Sequence, residues 1–311
     1  MFDNIKLQAE IDEINLVTFG YNIYDKENYP EEIEYCNFTF KAAYKRSTEF
    51  YGYVMMLKNL KVTIANGYLT IENSIHKFYK ENNYSLYNYV HLLDTIDDLR
   101  KCFFLDPDKV IVRRFEFGIN INIDSPKHIL SLFKSYKKKP MVDMRQKHIV
   151  YGKASHLSQY SFKVYDKTKE VLLHDEKKIV NTLRMEMVFL KKGRVPFIRT
   201  LSDIVNSENI LQLYNILIST YRCIDKNPLF DLGDHTPAQR ALLFAGLSPE
   251  FWQAEKAINA NTAKSKSMKY NKLMSQNTNH STYSNIEEAM LKAIREITDY
   301  GKFNACNEDA L

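Results

Sequence analysis

The chain has 311 residues, 45% of them hydrophobic, enough to bury a sizeable core in one domain or two. Its 43 Lys and Arg against 38 Asp and Glu leave a formal charge of +5, a mild basic balance that suits nucleic acid without demanding it. No apolar run approaches a membrane span, and the first residues lack the basic-then-apolar order of a signal peptide. Cys36, Cys102, Cys223 and Cys306 show no zinc-ligand spacing, so reduced cytosolic thiols are expected.

In chain order, residues 14–24 and 35–44 are aromatic and β-branched with partial alternation and read as strands, as do 51–57 and 60–65. Asn66-Gly67 between two such runs predicts a two-residue hairpin, because both central residues of that turn take positive φ. A short helix is expected over 73–80. A longer one is expected over 85–100, capped by Ser85, with Leu86, Tyr89, Val90, Leu93, Ile96 and Leu99 as its apolar stripe. Leu105-Asp106-Pro107 closes this unit. A strand over 110–123 precedes a helix over 126–136 opened by Ser125-Pro126, then a basic loop over 137–147. Further strands are expected at 148–152, 159–167 and 181–190.

From about 200 the pattern turns helical, over 207–222, 236–245 and 248–259, with Ser207, Thr236 and Ser248 as caps. Residues 260–284 are polar and read as a basic linker, and a last helix is expected over 285–299. The expected fold class is α+β, divided into a strand-rich domain over 1–199, a helical region over 200–259, the linker over 260–284 and a terminal helix and tail over 285–311.

The period of two sorts three strands into faces. Over 114–123 the odd positions Phe115, Phe117, Ile119, Ile121 and Ile123 suit a core, and the even positions Arg114, Glu116, Gly118, Asn120 and Asn122 form a polar face. Over 183–189, Leu183, Met185, Met187 and Phe189 oppose Arg184, Glu186 and Val188. Over 162–167, Phe162 and Val164 oppose Lys163, Tyr165 and Lys167. If the polar faces match, Glu116 and Glu186 make a hard-cation site for Mg²⁺ or Mn²⁺, while Tyr165 can attack a phosphate and Lys167 can stabilise the charge that develops. The same residues also suit cross-strand ion pairs and packing. Tyr151 and Tyr160 are alternative nucleophiles, and Glu170, Asn120 and His148 are additional ligand candidates. His148 and His156 form no His-x-His or His-x-x-x-His pair.

These segments resemble the nicking domain of rolling-circle replication initiators. The resemblance is to the Rep proteins of pT181-type plasmids and, more loosely, to the initiators of filamentous phages. It runs from Gly67 to Phe189 in four ordered pieces: a strand, hairpin and helix ending at Leu105-Asp106-Pro107; an Arg-x-acid strand at Arg114-Phe115-Glu116; Tyr151-Gly152 followed by Tyr165-Asp166-Lys167 and Glu170; and an Arg-x-Glu strand at Arg184-Met185-Glu186. Where the family often has a second acid four residues after the first, this chain has Asn120.

The resemblance implies an HUH-like antiparallel nicking core with a carboxylate-rich metal site. It also implies origin DNA, single-stranded or as a hairpin, as substrate, with a 5′-phosphotyrosine intermediate and later strand closure. A host helicase and polymerase would be partners, because no nucleotide-binding fingerprint is present. A homodimer and a plasmid or phage origin are both left open. Arg114, Arg184, Lys137, Lys138, Lys139, Arg145 and Lys147 are the expected DNA contacts, through phosphates. The rival readings are a non-catalytic origin-binding protein and a metal nuclease that uses water.

Overall fold

Alternating apolar and polar residues set much of the first two thirds of the chain as strands. The computed structural model describes residues 1–11, 16–17, 29–45, 49–175, 179–190, 192–227, 235–277 and 281–298. The strands are β1 (Phe2–Glu10), β2 (Leu16–Val17), β3 (Glu32–Tyr35), β4 (Phe38–Lys45), β5 (Glu49–Leu57), β6 (Leu60–Ala65), β7 (Tyr68–Ser74), β8 (Ile111–Asn122), β9 (Phe133–Tyr136), β10 (Lys139–Pro140), β11 (Val142–Gln146), β12 (Ile149–His156), β13 (Tyr160–Asp166), β14 (Thr182–Phe189) and β15 (Ile224–Lys226). The helices are α1 (Ile75–Lys80), α2 (Tyr89–Phe103), α3 (Pro126–Leu132), α4 (Lys167–Asp175), α5 (Leu201–Val205), α6 (Ser207–Arg222), α7 (Pro237–Ala245), α8 (Pro249–Ile258), α9 (Ala260–Asn277) and α10 (Ser281–Thr298). No helix among the described residues is long and apolar enough to cross a membrane.

Twelve strands form one sheet in the order β11-β12-β13-β14-β8-β1-β7-β6-β5-β4-β3-β2, and a small sheet runs β10-β9-β15. Every pairing in both is antiparallel. The class is therefore α+β, as expected. β1 lies at the centre, between β7 and β8, although the sequence reading placed no strand there. Of the strand expected over 14–24, only Leu16–Val17 is among the described residues.

Two-residue turns with positive φ at both centres join several neighbours. Asn66 and Gly67 form the one the sequence predicts, and Cys36-Asn37, Lys137-Lys138 and Lys147-His148 form the others. Lysine is no turn signal, so the expected loop over 137–147 is instead two hairpins built from β9, β10, β11 and β12. Likewise the helix expected over 126–136 stops at Leu132, because Phe133–Tyr136 pairs with Ile224–Lys226.

The apolar face of β8, β13 and β14 packs under α6 and the small sheet. The Phe117 and Tyr214 rings are 4.7 Å apart, those of Tyr136 and Phe162 6.1 Å, and the Thr220 hydroxyl donates to the Met187 sulfur at 3.7 Å. Each such buried side chain contributes roughly 1.5–3 kcal/mol.

Helix starts follow capping chemistry. Asn88 and His91 form a reciprocal capping box at α2, so the helix begins three residues later than a Ser85 cap would set it. Asn206, not Ser207, caps α6, whereas Thr236 and Ser248 cap α7 and α8 as expected. The polar stretch expected as a linker is helical over Ala260–Asn277. Ala263 and Leu273 are buried, and Tyr270 packs on Trp252 with ring centroids 5.4 Å apart. A small apolar stripe on a segment rich in Lys, Ser and Asn suffices when α7 and α8 supply the surface to bury it.

β8 and β14 approach closely where Gly118 stands opposite Glu186. A Cβ at Gly118 would lie 2.4 Å from the Met185 carbonyl oxygen and 2.7 Å from the Glu186 Cβ. Gly118→Val should therefore destabilise the protein by about 1–3 kcal/mol in urea unfolding, the usual penalty of overpacking.

Candidate active site

The polar face of the sheet is assembled by register. Lys163 stands across from Glu186 and Tyr165 across from Arg184, while Glu186 and Arg184 face Gly118 and Asn120 of β8. Glu116 lies two residues from Gly118 on that face. The alternation read from the sequence thus brings Glu116, Glu186 and Tyr165 together.

Lys163 joins the two carboxylates. Its Nζ is 2.9 Å from Glu186 Oε1 and 3.7 Å from Glu116 Oε1. Glu116 also accepts from Arg114 Nη2 at 2.9 Å on Oε1 and from Asn4 Nδ2 at 2.8 Å on Oε2. Glu186 Oε2 accepts from Arg184 Nε at 2.8 Å and from the Tyr165 hydroxyl at 3.1 Å. Burial alone would neutralise Glu186, but Arg184 and Lys163 outweigh it and hold its pKa below the usual carboxylate value. For Lys163 burial favours the neutral amine, yet Glu186 and Glu116 hold its pKa above the usual value.

Arg184 was expected as a DNA contact, and it is buried instead. Its guanidinium donates to Glu186, to Asp3 Oδ2 at 2.8 Å and to the Asn83 carbonyl at 3.1 Å, with Asn120 Oδ1 at 3.5 Å. Asp3 in turn accepts from the Ser74 hydroxyl. Its charge is met by Asp3 and Glu186 inside the fold, as a buried charge requires, so its first role is to hold the network together.

The Tyr-Asp-Lys-x-x-Glu segment turns a strand into a helix. Tyr165 ends the strand, Asp166 Oδ1 caps α4 by accepting from Lys169 N at 2.9 Å, and Lys167 opens the helix rather than closing the strand. Lys167 Nζ donates to Glu170 Oε2 at 2.6 Å and to Asn83 Oδ1 at 2.9 Å. Burial, then Arg184, lowers the Lys167 pKa, and Glu170 opposes the shift.

The tyrosines differ in access. Tyr165 is 6% exposed, and burial, opposed in part by Arg184, raises its pKa well above the usual phenol value. Tyr160 lies on the other face of β13, where its hydroxyl is 2.9 Å from that of Tyr136, so it is not part of the site. Tyr151 is the unpaired residue of a bulge, since Met144 pairs with Gly152 and Arg145 with Val150. The bulge frees its ring from strict alternation, and it meets Tyr165 edge-on with centroids 6.0 Å apart. Gly152 makes room for this, since a Cβ there would lie 2.3 Å from the Tyr165 Cβ. Tyr151 is half-buried, and burial followed by the charge of Glu170 raises its pKa.

The remaining candidates separate. Asn120 and Glu170 border the site through Arg184 and Lys167. His148 sits exposed at a hairpin turn with φ 67°, away from both carboxylates in the sheet order. Lys137, Lys138, Lys139, Arg145 and Lys147 are exposed on the two hairpins, with Arg145 paired to Asp143 at 3.0 Å. Asp3, Asn4, Asn83 and the bridging role of Lys163 escaped sequence reasoning. Only Lys163 had a signal, its place on the polar face of the 162–167 strand.

The expected divalent cation does not fit this donor set as it stands. Among the described residues no three His, Cys, Asp or Glu side chains gather as a ligand group. Each oxygen of Glu116 and Glu186 already has a donor from the protein.

His76 lines a cleft of about 170 Å³ beside Arg184 and Asn120. It stacks on Tyr87 at 4.7 Å, and its buried Nε2 has no hydrogen-bond partner. Burial, then the charge of Arg184, lowers its pKa to about 2. The folded protein therefore holds a neutral His76 where the unfolded chain takes up a proton below about pH 6.5. The stability this contributes is full above that value and falls by up to about 1.4 kcal/mol per pH unit below it. His76→Phe should flatten the loss of urea stability between pH 7 and pH 5 relative to the wild type.

No protein-family model matches the chain, and no curated protein matches it. Among solved structures it is similar to one described as a rolling circle replication initiator protein from Geobacillus stearothermophilus, at 12% identity and a TM-score of 0.37, over 76% of this chain and 89% of that one.

Proposed function

We propose that the protein is a rolling-circle replication initiator that nicks one strand of origin DNA by tyrosine transesterification. The observation that carries this reading is the single polar site where Glu116, Glu186 and Lys163 meet two tyrosines, one of them partly open. A carboxylate pair with a fixed ammonium suits phosphoryl transfer, in which charge grows on the phosphate oxygens. A simple DNA-binding module has no need of buried acids at its contact surface.

The burial of Tyr165, with its hydroxyl committed to Glu186, favours Tyr151 as the nucleophile and Tyr165 as the residue that positions it. In the reaction the Tyr151 phenol oxygen bonds to phosphorus as the bond to the 3′ oxygen breaks. The phenol proton passes to a neighbouring carboxylate, Glu170 being the acid whose charge bears most on Tyr151, and the 3′ oxygen leaves as a hydroxyl by taking a proton from water. The phosphotyrosine conserves the phosphodiester bond energy, so a second transesterification can close the strand without a nucleotide cofactor. The exposed lysines of the two hairpins supply phosphate contacts that position DNA without reading its sequence.

The test is nicking of short labelled single-stranded origin DNA, resolved on a denaturing protein gel. A label on the protein that disappears in Tyr151→Phe is the expected result. Tyr165→Phe should keep the label but slow its appearance about 10-fold or more, since a hydrogen bond to a charged group contributes roughly 1.5–3 kcal/mol. A label lost only in Tyr165→Phe would move the nucleophile there, and cleavage without any label would indicate water as the attacking group. In a separate binding measurement, replacing Lys137, Lys138 and Lys139 together by Ala should weaken binding to all sequences alike. It should also reduce the slope of log K against log salt by about 2, at roughly 0.7 per phosphate contact on single strands.

A further inference from the structure

We infer that Lys163 is the resident cation of the Glu116–Glu186 pair: its ammonium holds the position the sequence assigns to Mg²⁺ or Mn²⁺, and it, rather than a divalent ion, meets the phosphate. The second half of this inference rests on the proposed strand-transfer reading, and the first half does not.

The register makes the bridge. Lys163 of β13 pairs with Glu186 of β14, which pairs with Gly118 of β8, two residues from Glu116. Neighbouring strands lie about 4.8 Å apart, so an extended lysine stem spans the distance from its own strand to the second one over. Gly118 has no side chain, and a Cβ there would lie 2.7 Å from the Glu186 Cβ.

The remaining carboxylate edges are already taken. Asn4 holds Glu116 Oε2, and Arg184 and Tyr165 hold Glu186 Oε2. The two Oε1 atoms are where a bridging ion would bind; Lys163 Nζ sits 2.9 Å from that of Glu186 and 3.7 Å from that of Glu116, which also accepts from Arg114 at 2.9 Å. Mg²⁺ demands about six oxygens at roughly 2.0–2.1 Å, commonly one or two carboxylates completed by water, so it would have to displace the ammonium from the two Oε1 atoms.

Charge leads to the same conclusion. Asp3, Glu116 and Glu186 are matched by Arg114, Lys163 and Arg184, all joined in one network. A divalent ion added to that set would leave uncompensated positive charge in a largely desolvated site. The Lys163 side chain keeps 24% of its surface exposed and donates one ammonium proton to Glu186, so another can reach a phosphate oxygen from solvent.

The experiment titrates chelator-treated full-length protein with Mn²⁺ alone and follows bound ion by electron paramagnetic resonance. Wild-type protein should bind Mn²⁺ no better than Glu116→Gln. Lys163→Met keeps the stem but removes the one cation that lies between the two acids, and it should gain one site about 10-fold or more tighter than wild type, removed again by adding Glu116→Gln. Circular dichroism checks that the variants fold. Lys163→Arg, which keeps the charge, should behave like wild type and serves if Lys163→Met is unfolded.

One Mn²⁺ bound by wild type and lost in Glu116→Gln would overturn the inference, as would a folded Lys163→Met that gains no site. The covalent-label assay is read separately in chelator. A label formed there supports the inference, and a label that requires Mn²⁺ overturns it. Absence of label in every condition counts against strand transfer, and the Mn²⁺ titration still decides which cation the pair holds.

Discussion

A buried guanidinium can persist in a sheet only if its donors are met, and Arg184 imposes that constraint on this protein. It is nearly inaccessible to solvent and bonds to groups from β1, β14 and the 82–87 segment, with β8 beside it. Removing any of the acids around it would leave an uncompensated charge, which typically costs 3–5 kcal/mol. The placement of Asp3 at the sheet centre and of Asn83 over its polar face follows from this need. Glu186 is held ionised by the same guanidinium, so the residue that organises the structure also sets the charge state of the site.

The site is then a product of spacing across strands rather than along one. Its carboxylates come from β8 and β14, its bridging ammonium and one phenol from β13, and its second phenol from a bulge in β12. Close approach at Gly118 and Gly152 lets these side chains share one surface. Such a site is rigid because each member is held by at least one other, and only the Tyr151 and Lys163 side chains retain partial access to solvent. A reaction that needs a nucleophile and a charge stabiliser at the edge of a fixed ionic network is the chemistry this arrangement favours.

Local patterns reveal some of this. The alternation over 114–123 and 183–189 puts Glu116 and Glu186 on one side, and the structure keeps them there. Asn66-Gly67 marks its hairpin because its φ requirement is written in residue type. The Tyr165-to-Glu170 segment was legible as a motif but not as a strand-to-helix transition, since Asp166 acts as a cap only once α4 exists to be capped. The helix over Ala260–Asn277 was invisible for a related reason: its propensity is modest and its apolar stripe narrow, and α7 and α8 provide what it packs on.

The sequence by itself determined the polar and apolar faces of the central strands, the identity of the acids and tyrosines those faces carry, and the starts of α3, α7 and α8, because periodicity and capping act over a few residues. Tertiary structure alone decided that Arg184 is buried, that a bulge turns Tyr151 toward the site, and that Lys163 lies between two carboxylates. Each of these depends on which strand lies beside which, and a partner such as Asp3, 181 residues from Arg184, leaves no trace in local spacing.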